Sequence, residues 1–429
     1  MDETRAQAYL NLIQQLLSCP NGEEPQILQA NLELVDAEFL QVCEVIADNL
    51  AGEGQENAAD FLRNLASQLG QFLGRNEENM DNSAPENLRE YERFIRELLQ
   101  AEIESNSDVK VIYPILRQRQ HLLNARFAQT LQQVAENFIA DKDSETIASI
   151  VGIIENLSID ISNFPLGNRA NNIDIAIAGY QIVLSHRQPG SENWAGTQNN
   201  LANAYRNKIT GNRAENIDTA IACYKKALEV RTREDFPEDW AMTQNNLAVA
   251  YSDKITGNRA ENIDTAIACY KEALAVYTRE DFPEDWAMTQ NNLAVAYSDK
   301  ITGNRAENID TAIACYKEAL AVYTREDFPE DWATTQNNLA VAYSDKITGN
   351  RAENIDTAIA CYKKALEVRT REDFPEYWAT TQNNLAVAYS DKITGNRAEN
   401  IDTAIACYKK ALEVRTRDGF SRILGNDSK

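Results

Sequence analysis

The 46 residues PEDWAMTQNNLAVAYSDKITGNRAENIDTAIACYKEALAVYTREDF (237–282) are followed at once by the same 46 residues (283–328). Tryptophan marks the same period over a longer stretch, at Trp194, Trp240, Trp286, Trp332 and Trp378. A fixed period of this length points to a helical repeat array before any other fold. Within the unit, Trp240, Thr243, Leu247, Ala248, Tyr251 and Ile255 recur at three-and-four spacing and predict one face of a first helix. Pro237 suits its first turn, and Gly257 its C-terminal stop. Asn262 reads as the N-cap of a second helix whose apolar face is Ile263, Ala266, Ile267, Tyr270, Ala273 and Leu274. Each unit is therefore expected to be a helical hairpin, and the chain all-α.

Leu247, Ala248 and Tyr251 in "NNLAVAY", with Ala266, Tyr270 and Ala273 in "AIACYKEAL", follow the spacing of the tetratricopeptide repeat, which this unit resembles. It departs from that pattern by longer turns within and between hairpins, by a Trp one helical turn early, and by Thr278 in place of the usual Pro. The first recognisable second helix is "LGNRANNIDIAIAGYQIVL" (166–184), preceded by a degenerate first helix near 143–161. The expected organisation is an N-terminal helical domain over 1–140, a degenerate first hairpin over 141–190, five repeats over 191–416, and a C-terminal tail over 417–429. In the N-terminal domain, helical periodicity runs through 5–18, 36–50, 57–73, 86–103 and 108–139, and "GRNEENMDNSAPEN" (74–87) reads as a polar connection. This segment together with the long Trp-marked repeats resembles the N-terminal halves of cyanobacterial tetratricopeptide proteins, many of which end in a caspase-like CHAT protease domain. That resemblance implies an α-solenoid scaffold, and as an alternative the sensor or adaptor half of a protease effector whose enzyme part is missing.

The formal charge is −24, and residues 1–160 hold 28 acidic against 11 basic side chains. Nucleic acid and anionic membrane are accordingly poor partners for this surface. The start, "MDETRAQAYLNLIQQLLSC", is acidic where a secretory signal is basic, and no apolar run reaches bilayer length. A soluble, cytoplasmic protein is expected. Of seven cysteines, Cys223, Cys269, Cys315, Cys361 and Cys407 recur at the repeat period. Equivalent positions in stacked repeats lie too far apart for disulfides, so these read as small buried side chains in a reducing compartment.

Catalytic chemistry is not expected. His121 and His186 are too few and too scattered for a metal site or a nucleophile–base arrangement. "TGNRAEN" lacks the Lys-Ser/Thr of a phosphate loop, and Glu280 and Asp281 sit beside a helix N-terminus, where carboxylates favour the dipole. No cofactor or metal is expected. The candidate site is the Asn pair of each first helix: Asn199 and Asn200, Asn245 and Asn246, Asn291 and Asn292, Asn337 and Asn338, Asn383 and Asn384. These border the buried stripe on the side that, by the resemblance, faces the inner groove. Asn offers a donor and an acceptor, so a row of them can hold the backbone of an extended peptide or protein segment, or alternatively satisfy neighbouring helices. The diverged unit at 191–209 has Gly196 and Asn203 where the next has Met242 and Val249, yet keeps "TQNNL". Met242, Met288, Thr334 and Thr380 are expected to line the same groove. Carboxylate-binding grooves of the resembled family carry Lys where this chain has Asn245, so the resemblance does not extend to recognition of a free C-terminus.

The tail raises a separate expectation. A back-translation of "EDFPEYWATTQNN" (372–384), read after one inserted nucleotide, spells "DGFSRILGNDSK" and a stop, which is residues 418–429. The tail is thus expected to be a further unit read out of frame, and the chain a truncated product of a longer repeat gene. The final second helix, with Ile401, Ala404, Ile405, Tyr408, Ala411 and Leu412, would then lack a covering helix. Self-association through that face, and a weakly ordered tail bracketed by Gly419 and Gly425, are expected.

Overall fold

A computed structural model describes residues 3–18, 27, 31, 34, 39, 40, 42, 43, 46, 47, 50, 59, 61–63, 65 and 84–424, with side chains up to Arg415 at the C-terminal end. The periodic segments 36–50 and 57–73 lie largely outside these residues, as do most of the 74–87 connection and residues 425–429. The chain divides into two compact units, Met1–Arg93 and Phe94–Lys429. In the first, α1 (Glu3–Ser18) contributes Tyr9, Leu12, Ile13 and Leu16 to a core with Phe39, Cys43, Ala47, Ala59 and Leu62. The division falls within α2 (Ala84–Ser105), and the 108–139 segment lies in the same unit as the repeats.

The 108–139 periodicity resolves into two helices, α3 (Val109–Gln118) and α4 (Ala125–Ile139), separated by a 3₁₀ turn over Gln120–Leu122. Asn124 caps α4 by accepting from the Arg126 and Phe127 amides. The first hairpin is α5 (Ser144–Asn163) and α6 (Arg169–His186), on which α4 packs. Five hairpins follow: α7 (Glu192–Asn207) with α8 (Arg213–Leu228), α9 (Pro237–Asp253) with α10 (Arg259–Leu274), α11 (Pro283–Asp299) with α12 (Arg305–Ala319), α13 (Pro329–Asp345) with α14 (Arg351–Ala365), and α15 (Pro375–Asp391) with α16 (Arg397–Leu424). Strands are absent among the described residues, and each helix packs on its hairpin partner and then on the next hairpin. This is the α-solenoid of helical hairpins that the period predicts.

Two local expectations change. The N-cap of α10 is Asn258, whose side chain accepts from the Ala260 amide at 3.0 Å, and not Asn262. Asn262 lies one turn inside, 7% exposed, and its Nδ2 donates to the Thr256 carbonyl at 2.9 Å, pinning the connection to the helix. Both residues are asparagines near a helix start, and propensity alone does not separate a cap from an inward brace. Ile255 lies beyond the end of α9 and is 66% exposed, because the helix stops at Asp253 and Lys254 is already extended at φ −64° and ψ 125°, which takes Ile255 off the apolar stripe.

The core is shared between hairpins. Ala248, Ile263, Ala266, Ile267 and Tyr270 meet Leu293 and Ala296 of the following unit, and the pattern continues from Ala294 through Cys407. Trp240 and Trp286 are half-buried beside Ala241, Ala273 and Tyr277, forming a second layer towards the turns between hairpins. A polar staple joins neighbours on the other side. Lys254 ion-pairs Asp218 of the preceding second helix, and Thr256 Oγ1 donates to the same carboxylate at 3.0 and 2.9 Å. Equivalent clusters stand at Lys208 with Asp174, Lys300 with Asp264, Lys346 with Asp310, and Lys392 with Asp356.

The last helix runs without a break through Gly419 to Leu424, where the glycines argue for a poorly ordered tail. Once four upstream turns exist, extending a helix needs no new nucleus, so one Gly at roughly 1 kcal/mol does not end it.

Candidate peptide-binding face of the first helices

On each first helix the outward stripe is set by the same 3.6-residue period that sets the buried one. In α9, Ala241, Thr243, Asn245, Leu247, Ala248 and Ala250 are buried. Met242, Asn246 and Val249, spaced four and three apart, are not. Stacking repeats this stripe into rows: Asn200, Asn246, Asn292, Asn338 and Asn384, all half-buried; Met242, Met288, Thr334 and Thr380; and Val249, Val295, Val341 and Val387. Met288 and Val295 are each 38% exposed and Val387 is 45% exposed, so the face is mildly apolar around the amides.

The two asparagines of each pair do different things. The first faces the neighbouring first helix: Asn199 and Asn245 are 3% exposed and Asn337 is 8% exposed. Thr289 Oγ1 donates to Asn245 Oδ1 at 3.3 Å, and Thr335 Oγ1 to Asn291 Oδ1 at 3.3 Å. Asn246 Nδ2 reaches Asn199 Oδ1 at 3.3 Å, and Asn384 Nδ2 reaches Asn337 Oδ1 at 3.5 Å. At the start of the row, Asn200 Nδ2 and Thr197 Oγ1 both point to Glu155 Oε1, at 3.4 and 2.9 Å. Asn199, Asn245, Asn291 and Asn337 therefore act in a ladder between repeats. Asn383 is half-buried on the last first helix. The accessible amides are Asn246, Asn292, Asn338 and Asn384.

The remaining sequence candidates sit apart from this face. His121 is exposed on the 3₁₀ turn, His186 is exposed at the end of α6, and Asp281 accepts from Thr278 Oγ1 at 2.9 Å within an exposed turn. That turn also explains the Thr in place of Pro, since Thr278 Oγ1 accepts from the Asp281 amide at 3.1 Å. Cys223, Cys361 and Cys407 are buried, Cys269 and Cys315 half-buried, and all five are free thiols. Burial raises each thiol, Cys269 and Cys315 to about 11, which keeps them protonated and unreactive.

Two buried charged features carry no sequence signal. Glu102 on α2 and Asp160 on α5 are 2% and 6% exposed, and both Glu102 oxygens and Asp160 Oδ2 are buried without a hydrogen-bond partner. Burial, reinforced by Asp160, pushes the Glu102 carboxyl up to about 7. Arginines are the second feature. Arg187, Arg231 and Arg369 each leave a hairpin turn and insert between successive first helices, Arg231 at 5% and Arg369 at 7% exposure. In the sequence they stand in "SHRQ" and "EVRT", which match no motif.

The tetratricopeptide repeat family model matches residues 194–238, 332–376 and 378–418. No match is found among curated proteins. Among solved structures, BtubC (BKLC) from P. vanneervenii is 18% identical over 65% of this chain and 93% of its own, with a TM-score of 0.35. Yeast Tom70 is 15% identical over 99% and 90%, with a TM-score of 0.36. The tetratricopeptide domain of P58(IPK) is 14% identical over 99% of each chain, with a TM-score of 0.26. The matched segments are similar to tetratricopeptide repeats, and they lie within the continuous helical array that begins at the first hairpin.

Proposed function

We propose that this chain is a non-catalytic scaffold that binds an extended peptide or protein segment along the outward stripe of its first helices. The observation that carries the reading is the row of half-exposed amides at Asn200, Asn246, Asn292, Asn338 and Asn384, flanked by exposed valines and Met288. Amides that repeat at a fixed spacing can bond a peptide backbone whatever its side chains, while the valines and methionines take apolar ones. The first asparagine of each pair serves the array itself, and the second, though Asn200, Asn246 and Asn384 each donate one bond within the array, keeps its carbonyl oxygen and a second amide hydrogen for the ligand. On this reading the protein works in the cytoplasm, where its free thiols stay reduced.

The test replaces Asn246, Asn292 and Asn338 together by Ala. A partner captured by the intact chain should bind more weakly by about 1 kcal/mol per lost bond, with helicity unchanged in circular dichroism. Unaltered affinity of the triple variant for that partner refutes the reading.

A further inference from the structure

Each junction between successive first helices receives one side chain from the turn that ends the preceding hairpin. Between α5 and α7 it is Arg187, which ion-pairs Glu155 at 2.6 Å and contacts the Thr197 hydroxyl. Between α7 and α9 it is Arg231, paired with Glu192 at 3.0 Å and Asp239 at 3.1 Å. The next two junctions hold Tyr277 and Tyr323, neutral, with hydroxyls 3.4 Å from the Glu238 and Glu284 carbonyls. Between α13 and α15 it is an arginine again, Arg369.

Arg369 differs from the other two. Its Nη1 donates to Thr381 Oγ1 at 3.1 Å and its Nη2 to Thr334 Oγ1 at 2.9 Å, while Tyr377 stacks on it at 4.9 Å. Among the described residues no carboxylate lies within ion-pair distance, and burial lowers its pKa from the usual arginine value. The missing acid has a simple origin: Tyr377 stands where the second repeat has Asp239. Glu330, the counterpart of Glu192, is exposed on α13. A buried guanidinium held only by two hydroxyls and a ring is incompletely compensated. Thr334, one of its two partners, belongs to the outward stripe, and beside it Thr380 and Tyr377 are exposed.

The geometry points to a carboxylate-binding site at this junction: a Glu or Asp side chain of an extended peptide enters past Thr334 and Thr380 and pairs with Arg369 against the Tyr377 ring. This rests on the peptide-binding reading and adds the chemistry of one ligand position. The surrounding rim carries Glu330 and Asp331, so a single carboxylate between apolar residues fits better than a polyanionic run. The apolar flanks would lie on Val341 and Val387.

The experiment uses N-acetyl-Ala-Leu-Glu-Leu-Ala-amide and its Gln counterpart with the full chain, followed by calorimetry and by the arginine guanidinium resonances in NMR. The Glu peptide is expected to bind about tenfold more tightly and to shift the Arg369 resonances. Arg369→Tyr and Tyr377→Asp each install a residue that this chain already uses at another junction, so both variants should fold. The first removes the cation and the second supplies an internal acid, and each should reduce the Glu preference to parity. Equal binding of the two peptides to the unaltered chain overturns the carboxylate site and leaves the groove reading standing. Binding of neither also overturns it, and the triple Asn variant then judges the groove reading separately.

Discussion

A single asparagine and its chain neighbour illustrate how position decides role. Asn245 and Asn246 have the same chemistry, yet 100° of helical rotation puts one between helices and the other at the surface. Asn245→Ala is expected to lower stability by about 1–2 kcal/mol, since it leaves the Thr289 hydroxyl without that partner in a buried junction. Asn292→Ala should leave the thermal midpoint nearly unchanged. Chemical denaturation of both variants measures the contrast, and equal losses would contradict the division of labour. Glu102 gives a second residue-scale expectation. Its carboxyl titrates near 7 when folded and lower when unfolded, so the native state holds the extra proton between those values and stability falls as pH rises through that window. Glu102→Gln should therefore raise the melting temperature at pH 8 and change it little at pH 4. A stabilisation that is the same at both pH values would contradict the buried neutral acid.

Helix ends and connections are where the units are held in register. The Lys–Asp–Thr staple ties the C-terminal end of each first helix to the second helix behind it, and a hydrogen bond from Lys lowers Asp218, Asp264, Asp310 and Asp356 below their ordinary value of 3.8. A depressed carboxyl stabilises the fold at every pH above that ordinary value and loses its contribution as pH falls through the folded pKa. Asp264→Asn combined with Asp310→Asn should thus lower the melting temperature at pH 7, with the difference from the parent shrinking as the pH falls below the ordinary value of 3.8. A difference that persists in acid would assign the effect to packing instead. Much at this scale was legible beforehand: Pro237 opens its helix and the five Cys are small packed side chains, whereas Gly257, expected to stop the first helix, instead lies in the connection, the helix ending at Asp253 with Lys254 as its cap. The choice of Asn258 over Asn262 as cap was not legible, because both satisfy the local rule and only the position of the Thr256 carbonyl selects between them.

For the molecule as a whole, stability is a sum of hairpins and nearest-neighbour interfaces. Deleting residues 283–328 joins Phe282 to Pro329, the same dipeptide as Phe282–Pro283, and should yield a folded shorter array with proportionately lower unfolding free energy. Loss of cooperative unfolding in the deletion would contradict the hairpin boundaries. At the other end of the array, Ile405 is 45% exposed and Leu412 57%, whereas Ile359 at the equivalent position of the preceding repeat is 5% exposed. This face is expected to drive concentration-dependent association, which Ile405→Glu with Leu412→Glu should abolish in sedimentation velocity. A chain that stays monomeric at high concentration, with or without the charges, would remove that expectation.

The amino-acid sequence by itself determined the period, the helical hairpin and the rows of equivalent residues, because periodicity in a repeat is a one-dimensional property. Tertiary structure decided which asparagine faces a helix and which faces outward, and where Arg231 finds carboxylates while Arg369 finds hydroxyls. It also brought Glu102 and Asp160, on different helices, into one buried pair. These depend on which side chains from separate repeats meet at a junction, and the burial of a charge exists only once the helices that bury it have packed.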